Sequence, residues 1–177
     1  MARTIFITGG ARSGKSVFSE KKALEFGHRL AYLATAQSLD TEMANRIERH
    51  RTRRGPEWQT IEEPIQLSRA LEDAEGKFGA ILVDCVTLWL TNLLFAFEHD
   101  GTEVEGRIQK EVDQVIATLQ RMSTPVILVS NEVGMGIVPE HHLARLFRDI
   151  AGSANQSLAA AANEAYVVLS GIPLKLK

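Results

Sequence analysis

Short apolar runs alternate along this chain with longer segments in which apolar residues recur every three or four positions. The runs are rich in valine, isoleucine and leucine, and they predict strands at 5–7, 30–34, 58–61, 80–84, 126–130 and 166–169. The longer segments predict helices at 16–26, from about 40, before Gly76, and at 87–97, 104–119 and 140–163. A short edge strand is predicted after Gly171.

This alternation of strands and helices predicts an α/β fold with a mostly parallel sheet and helices on both faces. The strands are almost continuously apolar, as expected where both faces of a sheet are covered. No internal repeat, low-complexity tract or linker interrupts the pattern. We therefore expect a single domain over residues 1–177.

The composition is that of an ordinary globular protein, with 45% hydrophobic and 24% charged residues in a chain of 177. The formal net charge of −2 provides no global field that would recruit nucleic acid or an anionic membrane. Cys85 is the single cysteine, which excludes an internal disulfide and fits a reducing compartment. No apolar run approaches the length of a membrane span, and no signal peptide precedes the first strand. A soluble, cytoplasmic protein is expected.

A glycine-rich segment directly after the first strand has the form G-x-x-x-x-G-K-S. It consists of Gly9, Gly10, Ala11, Arg12, Ser13, Gly14, Lys15 and Ser16. In the order strand, loop, helix, this is the phosphate-binding loop of ATP- and GTP-binding enzymes. Lys15 is expected to contact the β- and γ-phosphates, and the Ser16 hydroxyl to bind Mg²⁺. The competing interpretation, an ordinary glycine turn, is disfavoured by the strand that precedes the loop.

Asp84 ends an apolar strand and is the second candidate for binding Mg²⁺. Phosphate-loop enzymes hold the metal with such an aspartate. Strands also end in aspartate for reasons of turn geometry. The phosphate loop makes the metal role the favoured interpretation.

A strongly basic segment contains the third candidate, His50. Five arginines fall within residues 46–54, with only Glu48 to offset them. His50 shares a predicted helical face with Met43 and Ile47. Arginine forks suit phosphate oxygens, and an imidazole among them suits acid, base or nucleophilic chemistry. The spacing fits a catalytic His50 and a solvated charged face equally, and the aromatic residues that stack nucleic acid bases are absent.

The other histidines are expected at the surface, and the loop 131–136 is expected at the sheet edge where α/β proteins bind ligands. No N-K-x-D motif follows, which argues against a switch GTPase.

Several short motifs together resemble one enzyme family. Besides the loop at 9–16 they are Ala34-Thr35-Ala36, Arg49-His50-Arg51, Trp58-x-Thr60-x-Glu62, Val83-Asp84-Cys85-Val86-Thr87, Ser130-Asn131-Glu132-Val133-Gly134-x-Gly136-x-Val138-Pro139 and Asn155-Gln156. They are similar to the motifs of the bifunctional adenosylcobinamide kinase/adenosylcobinamide-phosphate guanylyltransferases of cobalamin biosynthesis. The similarity covers essentially the whole chain.

The resemblance implies a RecA-like phosphate-loop NTPase fold assembled as a homotrimer, acting on small corrinoid and nucleotide substrates. A nucleoside triphosphate, ATP or GTP, phosphorylates adenosylcobinamide, and GMP is then transferred from GTP through a GMP-histidine intermediate. His50 is the implied nucleophile. The implied nucleotide contacts are the loop residues 9–16, Ala34, Thr35, Ala36, Arg51, Thr52, Arg53, Arg54, Glu62 and Asp84. Two alternatives stay open: a kinase of another small alcohol, and a nucleic-acid-binding ATPase.

Overall fold

The computed structural model describes residues 3–36 and 54–177. The predicted helix that starts near residue 40, with His50 and most of the basic segment, lies outside the described residues.

Seven strands form one sheet in the described part of the chain, in the order β3-β2-β4-β5-β1-β6-β7. All neighbouring pairs are parallel except β6 and β7, which are antiparallel. The strands are β1 (Thr4–Thr8), β2 (Leu30–Ala34), β3 (Trp58–Glu62), β4 (Ala80–Asp84), β5 (Val126–Val129), β6 (Glu164–Leu169) and β7 (Ile172–Lys175). The mostly parallel α/β sheet predicted from the sequence is thereby confirmed.

The described helices follow the predicted apolar periodicity. They are α1 (Lys15–Leu24), α2 (Leu67–Ala74), α3 (Val86–Ala96), α4 (Val104–Arg121) and α5 (His142–Ala161), with a short 3-10 helix at Glu98–Glu103 before α4. That 3-10 helix occupies the predicted turn. The last helix begins two residues later than predicted, because the backbone of His141, the residue that precedes it, is extended.

The core consists of two layers separated by the sheet. Alternate residues of β1 point to opposite layers: Ile5 and Ile7 to one, Phe6 to the other. The larger layer holds the buried faces of α2, α4 and α5 and the fully buried Trp89 of α3. The smaller layer holds Ala23 of α1, so the helix that follows the glycine-rich loop packs on its own side of the sheet. None of the described helices has both the length and the apolar character that crossing a membrane requires.

Candidate nucleotide-binding site

The glycine-rich loop joins the end of β1 to the start of α1, and its backbone has conformations that side chains disfavour. Gly9 and Gly14 have φ values of 149° and 100°, and Arg12 has a φ of 55°. Ala11 and Arg12 are exposed at the tip, whereas Ser13 and Lys15 are buried. The strand–loop–helix arrangement predicted for a phosphate-binding loop is therefore present.

The lysine of the motif lies inside the loop. Lys15 Nζ donates to the carbonyl oxygens of Gly9 at 2.8 Å and Gly10 at 2.6 Å, and the residue is 7% exposed. The buried Ser13 Oγ has no hydrogen-bond partner among the described residues. The buried ammonium of Lys15 and the buried Ser13 hydroxyl together fit a polyanionic ligand. A phosphate would neutralise the charge of the ammonium and accept a hydrogen bond from the hydroxyl.

The turn between β6 and β7 supports this loop from behind. Gly171 N donates to Ser13 O at 2.7 Å. A Cβ on Gly14 would lie 3.1 Å from Gly171 Cα, and a Cβ on Gly9 would collide with the Val168 carbonyl oxygen. Glycine is therefore required at Gly9 by close backbone approach as well as by φ, whereas at Gly14 the positive φ is the main requirement.

The register of the sheet aligns the predicted site residues at one edge. Glu62 of β3 pairs with Ala34 of β2, Ala34 with Asp84 of β4, Asp84 with Val129 of β5, and Val129 with Ile7 of β1. This row lies at the carboxyl ends of the parallel strands, one residue before β1 ends. Parallel α/β sheets bind ligands at this edge.

Asp84 is on the α1 side of the sheet. It lies at every second position from Ala80 and Leu82, so it shares their face, which belongs to the smaller core layer. Helix α1 packs against β4 and carries Ser16, half-buried, as its second residue. A serine hydroxyl and a carboxylate are hard oxygen donors of the kind that Mg²⁺ prefers. The predicted pair Ser16 and Asp84 thus fits the metal in chemistry and in the face of the sheet that it occupies.

Tyr32 of β2 was missed by sequence reasoning. Its phenol O–H donates to Asp84 Oδ2 at 2.8 Å. Burial raises the pKa of the Tyr32 phenol well above its usual value, and the neighbouring Asp84 carboxylate raises it further, so the hydroxyl keeps its proton. A tyrosine in an apolar strand resembles any core residue in the sequence, and only the strand order shows that it adjoins Asp84.

Arg54, the first described residue of the basic segment, lies over the ring of Tyr32, with 3.2 Å between the guanidinium carbon and the ring centroid. It is half-buried. The predicted site residues His50, Arg51, Thr52 and Arg53 lie outside the described residues.

The three residues at the end of β2 differ in exposure. Ala34 is buried and Ala36 is half-buried. Thr35 is fully buried, and its Oγ1 donates to Cys85 O at 2.7 Å and accepts from Cys85 N at 2.9 Å. The Thr35 hydroxyl therefore clamps the backbone after Asp84, while Glu62 is exposed on the edge strand.

Cys85, which follows Asp84, is a packed core residue. Its side chain is buried, and burial, followed by the nearby Asp84 charge, raises the pKa of the thiol to about 12. Such a thiol stays protonated near neutral pH.

Comparison with known proteins identifies the family. The model of the cobinamide kinase / cobinamide phosphate guanyltransferase family matches residues 5–176. The chain belongs to this family. It is therefore an enzyme of a kinase and guanylyltransferase family.

Curated relatives agree over nearly the full length. The chain is 47% identical to the bifunctional adenosylcobalamin biosynthesis protein CobU of Escherichia coli (strain K12), over 98% of this chain and 99% of that protein. It is 42% identical to the bifunctional adenosylcobalamin biosynthesis protein CobP of Pseudomonas aeruginosa, over 97% of this chain and 95% of that protein.

The RadB recombinase has a similar solved structure, with a TM-score of 0.51 at 13% identity, over 93% of this chain and 73% of that one. This likeness confirms the RecA-like phosphate-loop NTPase fold.

In this family member a buried polar network fixes the loop that follows β5. Ser130 Oγ donates to Asn155 Oδ1 at 2.6 Å, and Asn131 N donates to Thr87 Oγ1 at 2.6 Å. Glu132 N then donates to Gly9 O at 3.0 Å. The network thereby connects α3, β5 and α5 to the phosphate loop.

No group of three or more histidine, cysteine, aspartate or glutamate side chains suited to a metal occurs within residues 3–36 and 54–177. His141 and His142 are exposed at the start of α5, as predicted.

Proposed function

We propose that this enzyme phosphorylates the aminopropanol hydroxyl of adenosylcobinamide with ATP or GTP and then transfers GMP from GTP to the product. The products are adenosylcobinamide-GDP and pyrophosphate. The observation that carries the proposal is the buried Lys15 in a glycine-supported loop, at the same sheet edge as Asp84, in a chain of this family.

In the kinase step the loop 9–16 holds the triphosphate through its backbone amides and the N-terminus of α1. Lys15 exchanges its bonds with the Gly9 and Gly10 carbonyls for phosphate oxygens, and the Ser13 hydroxyl gains a partner. Ser16 and Asp84 would hold Mg²⁺, which would neutralise negative charge on the bound triphosphate. The acceptor oxygen bonds to the γ-phosphorus as the bond from that phosphorus to the β,γ-bridging oxygen breaks. The nucleoside diphosphate leaves, and the hydroxyl proton is released to solvent.

In the guanylyl step a ring nitrogen of His50 attacks the α-phosphorus of GTP. The bond between the α-phosphorus and the bridging oxygen breaks, and pyrophosphate leaves. A phosphate oxygen of adenosylcobinamide phosphate then displaces His50 from the same phosphorus. Arg51, Arg53 and Arg54 neutralise the phosphates, because guanidinium groups pair with phosphate oxygens in two-point contacts.

The decisive experiment is labelling with GTP that carries radioactive phosphorus in its α-phosphate. Label should stay with the denatured protein in alkali and be lost in acid, because ring protonation makes imidazole a better leaving group. His50→Ala should not be labelled and should lose guanylyl transfer, while it keeps some kinase activity through Lys15. His99→Ala, which removes an exposed histidine, is the matched control and should be labelled like wild type.

Labelling of His50→Ala at the wild-type level would remove His50 from the mechanism and favour a kinase of another small alcohol. Salt-sensitive binding of single-stranded DNA would favour the nucleic-acid-binding ATPase instead.

We further propose that the enzyme is a cytoplasmic homotrimer. Large apolar side chains exposed on the segment after β5 support an assembly, among them Met135 at 84% and Ile137 at 97%. Sedimentation equilibrium tests the trimer; a monomeric mass across the concentration range would contradict it.

A further inference from the structure

One side chain contacts two parts of the proposed site that are far apart in sequence. Tyr32 is on the same side of the sheet as Asp84, since Tyr32, Leu30 and Ala34 all belong to the smaller core layer. Its ring reaches diagonally across to β4, where the O–H donates to Asp84 Oδ2 at 2.8 Å. This bond uses one acceptor position of a carboxylate that has several, so the group keeps capacity for a metal.

The ring of Tyr32 contacts the end of the basic segment. The Arg54 guanidinium carbon lies 3.2 Å from the ring centroid, within the range of a cation–π interaction. Trp58 meets the same ring edge-on, with 6.3 Å between the centroids and 79° between the ring planes. Tyr32 is 7% exposed, so these neighbours hold it in place.

We propose that Tyr32 is a positioning residue of the phosphoryl-transfer site. Its O–H holds the Asp84 carboxylate in the orientation that Mg²⁺ requires, and its ring seats the Arg54 guanidinium beside the same edge. This inference rests on the proposed function, because it takes Mg²⁺ with a nucleoside triphosphate as the ligand.

Residues that form hydrogen bonds to a metal ligand have a measurable effect on metal affinity. Hydrogen bonds that orient a ligand typically change metal affinity by about 10- to 100-fold when they are removed. A tyrosine that only fills the core would be replaced by phenylalanine with little loss, because the ring volume is the same. Removing only the hydroxyl therefore distinguishes a positioning role of Tyr32 from a packing role.

The test compares Tyr32→Phe with wild type by calorimetric binding of α,β-methylene GTP, which cannot guanylylate the protein. Titrations in Mg²⁺ and in EDTA isolate the contribution of the metal. We expect Tyr32→Phe to bind the Mg²⁺ complex about tenfold more weakly and the metal-free analogue as wild type does. Mn²⁺ binding, followed by electron paramagnetic resonance, should weaken in parallel.

Tyr166→Phe is the matched control. Tyr166 also donates its O–H to a carboxylate, Glu164, at 2.5 Å, but that carboxylate is at the start of β6, at the opposite end of the sheet. Tyr166→Phe should bind the Mg²⁺ complex of the analogue as tightly as wild type does. The ratio of the analogue's affinity in Mg²⁺ to its affinity in EDTA is the deciding quantity. If this ratio is the same for wild type and Tyr32→Phe, the proposed role of the hydroxyl is overturned.

Tyr32→Leu tests the ring. It should weaken binding of the metal-free analogue as well, and Arg54→Met should weaken binding less in the Tyr32→Leu background than in wild type. Additive effects would overturn the seating of Arg54. If Tyr32→Leu does not fold, Tyr32→Met replaces it, since it also lacks an aromatic face and should reduce the effect of Arg54→Met in the same way. A wild-type protein that binds no Mg²⁺ complex would instead refute the proposed function itself.

Discussion

Lys15 bonds to the carbonyl groups of its own loop, so ligand binding is an exchange of partners. Its Nζ already lies in the cradle, held by Gly9 O and Gly10 O. A phosphate that enters replaces two neutral acceptors with anionic ones, which adds a direct attraction between opposite charges in a buried site. If the loop binds a nucleotide as proposed, the lysine is thus in position before the ligand arrives.

Lys15→Ala should abolish kinase turnover, with a loss of at least about 10²-fold, because it removes a charge aimed at the transferring phosphoryl group. The measurement is steady-state kinase activity, with circular dichroism to confirm the fold. Lys21→Ala, an exposed position on the same helix, should keep wild-type activity. Activity of Lys15→Ala within about threefold of wild type would contradict the assignment.

Asp84→Asn should make activity depend on much higher Mg²⁺ concentrations while the protein remains folded. Asparagine still accepts the Tyr32 hydrogen bond, but it lacks the charge that attracts the metal. A Mg²⁺ titration of activity measures the shift. Asp73→Asn on α2, where the carboxylate is 75% exposed, is the control and should give the wild-type curve. Superimposable curves for Asp84→Asn would make Asp84 structural.

At the scale of single residues, prediction from the sequence succeeded where a motif has a local geometry. The loop 9–16 depends on neighbours in sequence, so its glycines and Lys15 were predictable. The bond between Tyr32 and Asp84 was not, because it depends on β2 lying beside β4. Thr35 illustrates the same limit: its motif is visible, but its bonds to Cys85 are not.

At the scale of elements, the phosphate loop depends on the turn that follows β6. The Val168 carbonyl leaves no room for a side chain at Gly9, and the Gly171 backbone lies close to Gly14. The strands were predicted almost to the residue because continuous apolar runs end abruptly at polar or glycine residues. The order of the strands was not predictable, since pairing between distant segments leaves no local signal.

Gly9→Ala should destabilise the protein by about 1–3 kcal/mol, because it adds strain at a φ of 149° and a collision with the β6 backbone. Urea denaturation gives the free energy of unfolding. Gly10→Ala is the control, since a Cβ there meets nothing within 4 Å, and its stability should match wild type. Equal stability of Gly9→Ala and Gly10→Ala would contradict the tight approach of β6.

At the scale of the whole molecule, Glu164 joins segments from opposite parts of the chain. It pairs with Arg3 before β1, with Lys175 of β7 at 3.5 Å, and accepts the Tyr166 O–H at 2.5 Å. The Tyr166 hydrogen bond and the Arg3 charge outweigh burial and hold the pKa of Glu164 below its usual value. The same hydrogen bond raises the pKa of Tyr166 to about 12.

Glu164→Gln should lower the free energy of unfolding at pH 7 by about 1 kcal/mol, the difference between a charged and a neutral hydrogen bond. Because the pKa of Glu164 is lowered on folding, its contribution is present above the unfolded value of about 4.3 and is lost as the pH falls through the folded value. The gap between wild type and variant should therefore close on acidification. Glu105→Gln, an exposed control, should show no gap, and a pH-independent gap for Glu164→Gln would contradict the linkage.

The position of β1 in the sheet has a consequence for how the protein is made. β1 is synthesised before both of its neighbours in the sheet, which begin at Val126 and Glu164. The phosphate loop is then supported by Gly171 N, which is synthesised later still. Since contacts between distant segments form only after the chain between them exists, nascent chains that stop before β6 lack the backing of the loop. The backing of the loop is therefore complete only after Gly171 has been synthesised, although the loop itself is translated before β5 and β6.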